Sequence, residues 1–268
     1  QGGSGYRTVR VELPGPDERR AFLDVLFQSP FGQTCRLEAD LGPDELTRLT
    51  GGLRLIDMEG LFRRSAASGE LLTRVAIRDE KARVIRELAQ DLVEVYEPTY
   101  GFEAVAGLRH AVSYFTELKH QIQAGAQSVP QAVLLAGVPG CGKSFLVLAL
   151  ARELGYPCLA MRNIRDRWVG ASERNLELVL WLVETLAPCI VWVDELDQAL
   201  GQLTAGASGD AGTSERMLAR IWEFMGSMRH RGRVLWLATT NRPDLLDPAT
   251  LDRFPVVIPF LHPTPKEV

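Results

Sequence analysis

From about Pro130 onward the apolar residues gather into short runs separated by amphipathic stretches. The runs are Ala132 to Ala136, Pro157 to Met161, Cys189 to Val193, Val234 to Ala238 and Pro255 to Phe260. Between them, Ser144 to Leu154, Glu173 to Leu186 and Ser214 to Met228 place apolar residues three and four apart, the period of a helix with one buried face. Strand and helix patterns in alternation predict an α/β fold, a parallel sheet of five strands with helices on both faces. Gly201 to Gly212 is rich in Gly, Ala and Ser and reads as a loop.

The earlier part of the chain has a different rhythm. Asp17 to Phe27, Asp44 to Thr50, Ile56 to Arg64 and a longer stretch from Asp79 to about Tyr96 read as helices, with no pair of runs able to build a sheet. The division this suggests is a small all-helical part over residues 1–95 and an α/β part over 96–268. Val11 to Glu18 also echoes Pro259 to Glu267, each an apolar stretch closed by Pro-x-Pro-x-Glu or a near variant. The echo is either a chance match between Pro-rich turns or one period of a tandem array.

Composition narrows this picture in three ways. A formal charge of −4 disfavours a broad basic surface for nucleic acid, while leaving local basic clusters open. Four scattered cysteines without CxxC spacing need no disulfide framework in a chain of 268 residues, so a reducing, cytoplasmic setting is expected. No apolar run reaches the roughly 20 residues of a membrane span, so no membrane partner is expected. Gln1 followed by Gly2 to Gly5 reads as the start of a fragment or processed chain.

The candidate chemistry sits at the ends of the strand runs. Gly137, Val138, Pro139, Gly140, Cys141, Gly142, Lys143 and Ser144 fit GxxxxGK[ST], a pattern that chance yields about once in a hundred chains of this length. Here it follows a buried-strand run and opens a helix, which makes it far more specific. Glycine-permitted bends and the helix N-terminus aim backbone N–H groups at polyphosphate oxygens. Lys143 would reach the β- and γ-phosphates and Ser144 would ligate Mg2+. Asp194 and Glu195 stand where the run Ile190 to Val193 ends, the edge at which open α/β sheets hold ligands. Asp194 suits the magnesium shell and Glu195 the polarisation of an attacking water. Asn241 closes the next run, where its amide could position the same water or simply serve the turn before Arg242 and Pro243.

With these motifs the chain resembles the AAA+ ATPases, specifically the AAA clade, from roughly Tyr100 to Val268. The phosphate loop resembles Walker A, Asp194 to Asp197 resembles Walker B, and Asn241 resembles sensor 1. The resemblance implies the large subdomain of a P-loop NTPase with ATP and Mg2+ as cofactors. It implies an adenine-side segment at Ala104, Ala106 and Gly107, and a substrate pore loop at Trp168 and Val169. Arg253 falls where such proteins carry an arginine finger for the neighbouring subunit's ATP, although a salt bridge to Asp252 or Asp247 would serve it equally without the family. Tyr6 to about Ile85 is similar to the last strand and helical lid of a preceding ATPase-like unit, as in tandem AAA proteins of bacteria and plastids whose first unit is degenerate.

Three positions depart from the pattern. Arg253 stands where many members have two arginines, Ala104 where an acid is common, and the chain ends at Val268 before the lid that would supply sensor 2. The implied function is a ring-forming, ATP-driven remodeller: a hexameric homo-oligomer acting on a protein substrate or adaptor. The alternative is an ATPase acting on nucleic acid, or a non-threading assembly switch. Arg162, Arg165 and Arg167 near Trp168 keep nucleic acid open.

Overall fold

The computed structural model describes residues 13–89, 92–126, 128–161, 172–204 and 211–261. It opens with five helices: α1 (Pro16–Gln28), α2 (Pro30–Thr34), α3 (Pro43–Leu49), α4 (Leu55–Ser68) and α5 (Arg74–Ala89). Proline stands in the first turn of α1, α2 and α3, where its missing N–H has no intrahelical partner to lose. Ser29 caps α2 by accepting the Gly32 N–H at 3.1 Å, and Gly69 ends α4 at φ 71°.

The α/β part follows as β1 (Glu94–Tyr96), a 3-10 turn at Phe102–Ala104, α6 (Arg109–Gln123), β2 (Ala132–Gly137), α7 (Lys143–Leu154) and β3 (Cys158–Ala160). It continues through α8 (Ser172–Leu186), β4 (Cys189–Val193), α9 (Leu196–Thr204), α10 (Ala211–Gly226), β5 (Val234–Thr240), α11 (Pro248–Leu251) and β6 (Val256–Phe260). The sheet order is β1-β3-β4-β5-β2-β6. All pairings are parallel except β1 with β3. Every residue of β4 and β5 is buried, which is why these strands read as unbroken apolar runs.

The sheet therefore has six strands where the runs predict five. The sixth is β1, taken from the tail of the stretch predicted as one helix from Asp79 to Tyr96. That helix stops at Ala89, and three residues then pair Val95 with Leu159. Tyr96 packs edge-on against Trp192 at 5.5 Å between ring centroids, so the short strand is held by packing as well as by its ladder. A part of the chain expected to build no sheet thus closes one edge of it. α6 is a further helix outside the predicted set, burying Ala111, Phe115, Leu118 and Ile122. α9 extends to Thr204, into the start of the predicted loop.

The helical part seats against the end of the sheet away from the phosphate loop. A side chain at Gly51 would collide with the Ala187 carbonyl, and one at Gly52, where φ is 84°, would lie 2.6 Å from the Leu186 Cα. Arg48 donates to the Tyr156 hydroxyl, and burial raises that phenol's pKa to about 12. Lys81 is 1% exposed and donates to the Pro188 carbonyl at 3.1 Å. Desolvation lowers its pKa to about 7, and Arg19, Arg233 and Arg48 add to the effect. The four cysteines are free thiols. Burial pushes Cys189 up to about 12 and Cys158 higher still, so both behave as inert core residues.

Candidate nucleotide site

β2 delivers the chain to Gly137, where β6 passes so close that a side chain would strike the Phe260 carbonyl. The loop then turns through Gly140 at φ 77° and Gly142 at φ 89°, left-handed values that a β-carbon disfavours. Val138, Pro139 and Gly140 are exposed at its crest, and Cys141 turns inward to donate its thiol to the Val138 carbonyl at 2.8 Å. Because α7 begins at Lys143, its first N–H groups face the concavity, a ready anion site. The Lys143 ammonium donates to the carbonyls of Gly137 and Val138, both at 2.7 Å, and to Asn241 Oδ1 at 2.9 Å.

The carboxylates arrive from the neighbouring strand. Ser144 Oγ donates to Asp194 Oδ1 at 3.4 Å, so two oxygen donors meet beside the loop. This donor set fits Mg2+, which is held by few protein oxygens together with substrate phosphates. Among the described residues no group of three His, Cys, Asp or Glu could hold a metal by itself. Glu195 is exposed and adopts φ 52°, a left-handed conformation costing about 1–3 kcal/mol for a residue with a side chain.

The turn carrying Asn241 is fixed from below. Thr239 and Thr240 point to opposite faces of β5, as successive strand residues must. The Thr239 hydroxyl donates to Asp194 Oδ1 at 2.6 Å and accepts the Glu195 N–H at 3.1 Å. Thr240 donates to Asp197 Oδ1 at 2.7 Å, and the same oxygen accepts the Asn241 N–H at 3.4 Å. On the other side of the loop, Gly107 at φ 66° and Leu108 at φ 49° turn the chain so that Leu108 Cδ1 would lie 3.2 Å from a β-carbon at Gly142. Ala104 and Ala106 lie exposed in the same segment. The Phe102 N–H anchors it by donating to Glu153 of α7 at 3.2 Å.

Residues 133–261 match the family model described as ATPase family associated with various cellular activities (AAA). These residues form an AAA ATPase domain. Before the AAA domain, residues 17–90 match the second helical domain of AAA+ chaperones. The chain is 27% identical over 275 residues to a cell division cycle protein 48 homolog of Archaeoglobus fulgidus, covering 91% of this chain and 37% of that protein. It is 33% identical over 188 residues to the ATP-dependent zinc metalloprotease FtsH of Mycobacterium tuberculosis, covering 66% of this chain and 24% of that protein. The chain thus spans well under half the length of either relative. A crystal structure of the FIGL-1 AAA domain in complex with ADP superposes with a TM-score of 0.55 at 22% identity, covering 69% of this chain and 63% of that one, and shares the fold.

The fold brings together Lys143, Ser144, Asp194, Glu195 and Asn241 of the AAA domain and, before it in sequence, the segment from Ala104 to Gly107. Arg253 does not join them. It lies exposed just before β6, whose Val256 pairs with Val133 at the opposite end of β2 from the phosphate loop. Neither carboxylate offered by the sequence as a salt-bridge partner engages it among the described residues. Asp247 instead caps α11, accepting from the Thr250 N–H at 2.8 Å and hydroxyl at 3.0 Å. Trp168 and Val169 lie outside the described residues.

Two features of the site are absent from the sequence expectations. Phe145, half exposed and next to Ser144, stacks on Tyr100 at 4.1 Å between centroids with 9° between planes. An aromatic directly after the GKS tripeptide is the signal that could have found it. Thr239 is the other, visible in the sequence only as a hydroxyl two residues before Asn241.

Proposed function

We propose that this chain binds ATP with Mg2+ and hydrolyses it, coupling turnover to the remodelling or threading of a protein substrate in a ring of like subunits. The observation that carries the reading is the convergence on one loop mouth of the Lys143 ammonium, the Ser144 and Asp194 oxygens and the Asn241 amide. Lys143 exchanges its carbonyl partners for the β- and γ-phosphates, and the α7 N-terminus and loop N–H groups bind the remaining phosphate oxygens. Ser144 and Asp194 hold the metal, which when bound neutralises charge on the phosphate oxygens. Glu195 takes a proton from the attacking water, and Asn241 orients that water once Lys143 has turned to the phosphates.

The ATP dependence and protease activity printed in the name of the FtsH relative support a protein as the substrate class. The match of residues 17–90 to a chaperone helical domain supports residues 1–95 as the end of a preceding ATPase-like unit, with the ATPase large subdomain over 96–268. In this proposal β1, at Glu94–Tyr96, straddles the boundary and ties the two parts through the sheet edge. Arg253, before the start of β6 and at the end of β2 away from its own phosphate loop, acts on the ATP of the adjacent subunit. Trp168 and Val169 are assigned to grip the substrate. Among the described residues no helix is long and apolar enough to cross a membrane.

Nucleotide affinity and steady-state ATPase, with and without an unfolded protein or single-stranded nucleic acid, test this reading. Stimulation by unfolded protein, with affinity lost in Lys143→Ala, is expected. Wild-type affinity in Lys143→Ala would remove the site, and stimulation by nucleic acid alone would replace the substrate class.

A further inference from the structure

The register between β4 and β5 pairs Val193 with Ala238, which sets Thr239 beside Asp194 at the point where both strands leave the sheet. Thr239 is 2% exposed, so water cannot satisfy its hydroxyl. That hydroxyl donates its single proton to Asp194 at 2.6 Å and accepts the backbone N–H of Glu195 at 3.1 Å. One buried oxygen is therefore bonded to two consecutive acidic residues, to the side chain of the first and the main chain of the second. The first bond fixes the rotation of the Asp194 carboxylate whose Oδ1 also faces Ser144. The second falls on the residue that holds a left-handed backbone, where φ is 52°.

We propose that Thr239 is a positioning residue for the metal and the water: it orients the Asp194 carboxylate toward the ion and holds the Glu195 backbone in the turn that presents its carboxylate to the γ-phosphate. The inference rests on the roles given above to Asp194 and Glu195. It separates the two threonines of β5. Thr239 serves the acids, and Thr240, bonded to Asp197, serves the Asn241 turn. A carboxylate that has lost an orienting partner holds a metal less well, and partners that orient ligands typically matter by about 10–100-fold in affinity or activity.

The test compares Thr239→Val, Thr239→Ser and Asp194→Asn in the full chain. Binding of a fluorescent ATP analogue is titrated against Mg2+ and repeated in a chelator, alongside kcat, KM and melting temperature. Thr239→Val keeps the volume and removes the hydroxyl. It is expected to bind nucleotide like the wild type in chelator, to need about 10–100-fold more Mg2+ for half-effect, and to lose kcat by a similar factor at saturating nucleotide. Thr239→Ser restores the hydroxyl and is expected to recover both. A Thr239→Val protein with a lower melting temperature but a wild-type Mg2+ titration, while Asp194→Asn is shifted, would show a merely structural threonine and overturn the proposal. An unshifted Asp194→Asn would overturn the metal role of Asp194 itself, and the proposal with it. Should Thr239→Val fail to fold, Thr239→Cys, of similar size with a weaker donor, takes its place with the same expected direction.

Discussion

The Lys143 ammonium and the Asn241 side-chain oxygen lie 2.9 Å apart, joining the phosphate loop to the end of β5 across 98 residues of sequence. Lys143 cannot both keep this bond and its two carbonyl partners and reach a phosphate with the same three protons. On the proposed reading, nucleotide arrival would draw Lys143 away from Asn241 and leave that amide to act on water.

Asn241→Ala is accordingly expected to leave ATP affinity near that of the wild type, because the phosphates and not Asn241 are the final partners of Lys143. Turnover should fall about tenfold to hundredfold, the scale of one lost hydrogen bond to a charged group. Equilibrium binding and single-turnover hydrolysis on one preparation check this. A loss of affinity equal to the loss of turnover would make Asn241 a binding residue.

Phe145→Ala is expected to weaken ATP more than inorganic triphosphate. The Phe145 ring is backed by Tyr100 and half exposed beside Ser144, so a purine can stack on its open side. Aromatic stacking on a base is worth about 1–3 kcal/mol, or roughly tenfold to hundredfold in affinity. Competition of triphosphate and ATP against a fluorescent analogue separates the base from the phosphates, and equal weakening of both would remove Phe145 from base recognition.

Much of this arrangement is legible in the sequence, for reasons that differ by element. β2, β4 and β5 are buried on both faces, so each leaves a continuous apolar run, and the acids and amide that follow mark the strand ends. β1 leaves no such mark. Three half-buried residues lie beneath any window that detects a period, and their partner Leu159 lies 64 residues away from Val95 in sequence (159 − 95). Thr239 is hidden for a related reason, since its neighbour Asp194 is set by strand register and not by spacing along the chain. The seating of the helical part at Gly51 and Gly52 is equally invisible, because a glycine needed for close approach looks like any turn glycine.

Arg253→Ala is expected to abolish most hydrolysis while each subunit still binds ATP. A guanidinium acting on a neighbour's phosphoryl group contributes about 10³–10⁵ in rate in comparable systems. The position of Arg253 at the opposite end of β2 from its own phosphate loop is what points the proposed action to a neighbouring subunit. Mixing Arg253→Ala with Lys143→Ala subunits should restore part of the activity, since a mixed pair can join an intact arginine to an intact loop. With assembly verified, no recovery at any ratio would count against the role.

Lys81 gives a pH dependence to the joint between the helical part and the sheet. Its pKa falls from 10.5 in the unfolded chain to about 7 in the fold, chiefly by desolvation. Between those values the unfolded chain holds a proton that the folded one lacks, so this group makes stability rise with pH. Its penalty is fully present below about pH 7 and is relieved by about pH 10.5. Lys81→Met removes the charge and keeps a flexible apolar chain, at the cost of leaving the Pro188 carbonyl without the ammonium donor. The substitution should raise the melting temperature most at pH 6 to 7, by a margin worth roughly a few kcal/mol, with the advantage shrinking toward pH 10. Tyr156, raised to about 12, is common to both proteins and cancels in the difference, whereas Cys189, also raised to about 12, interacts with Lys81, so the comparison is read most cleanly below pH 9, where the thiol stays protonated in the folded and unfolded chain. Melting curves of the two proteins across pH 6 to 10 decide the matter. An advantage independent of pH would mean that folding leaves the pKa of Lys81 unshifted, and a disadvantage across this range would mean that its charge is stabilising at the joint.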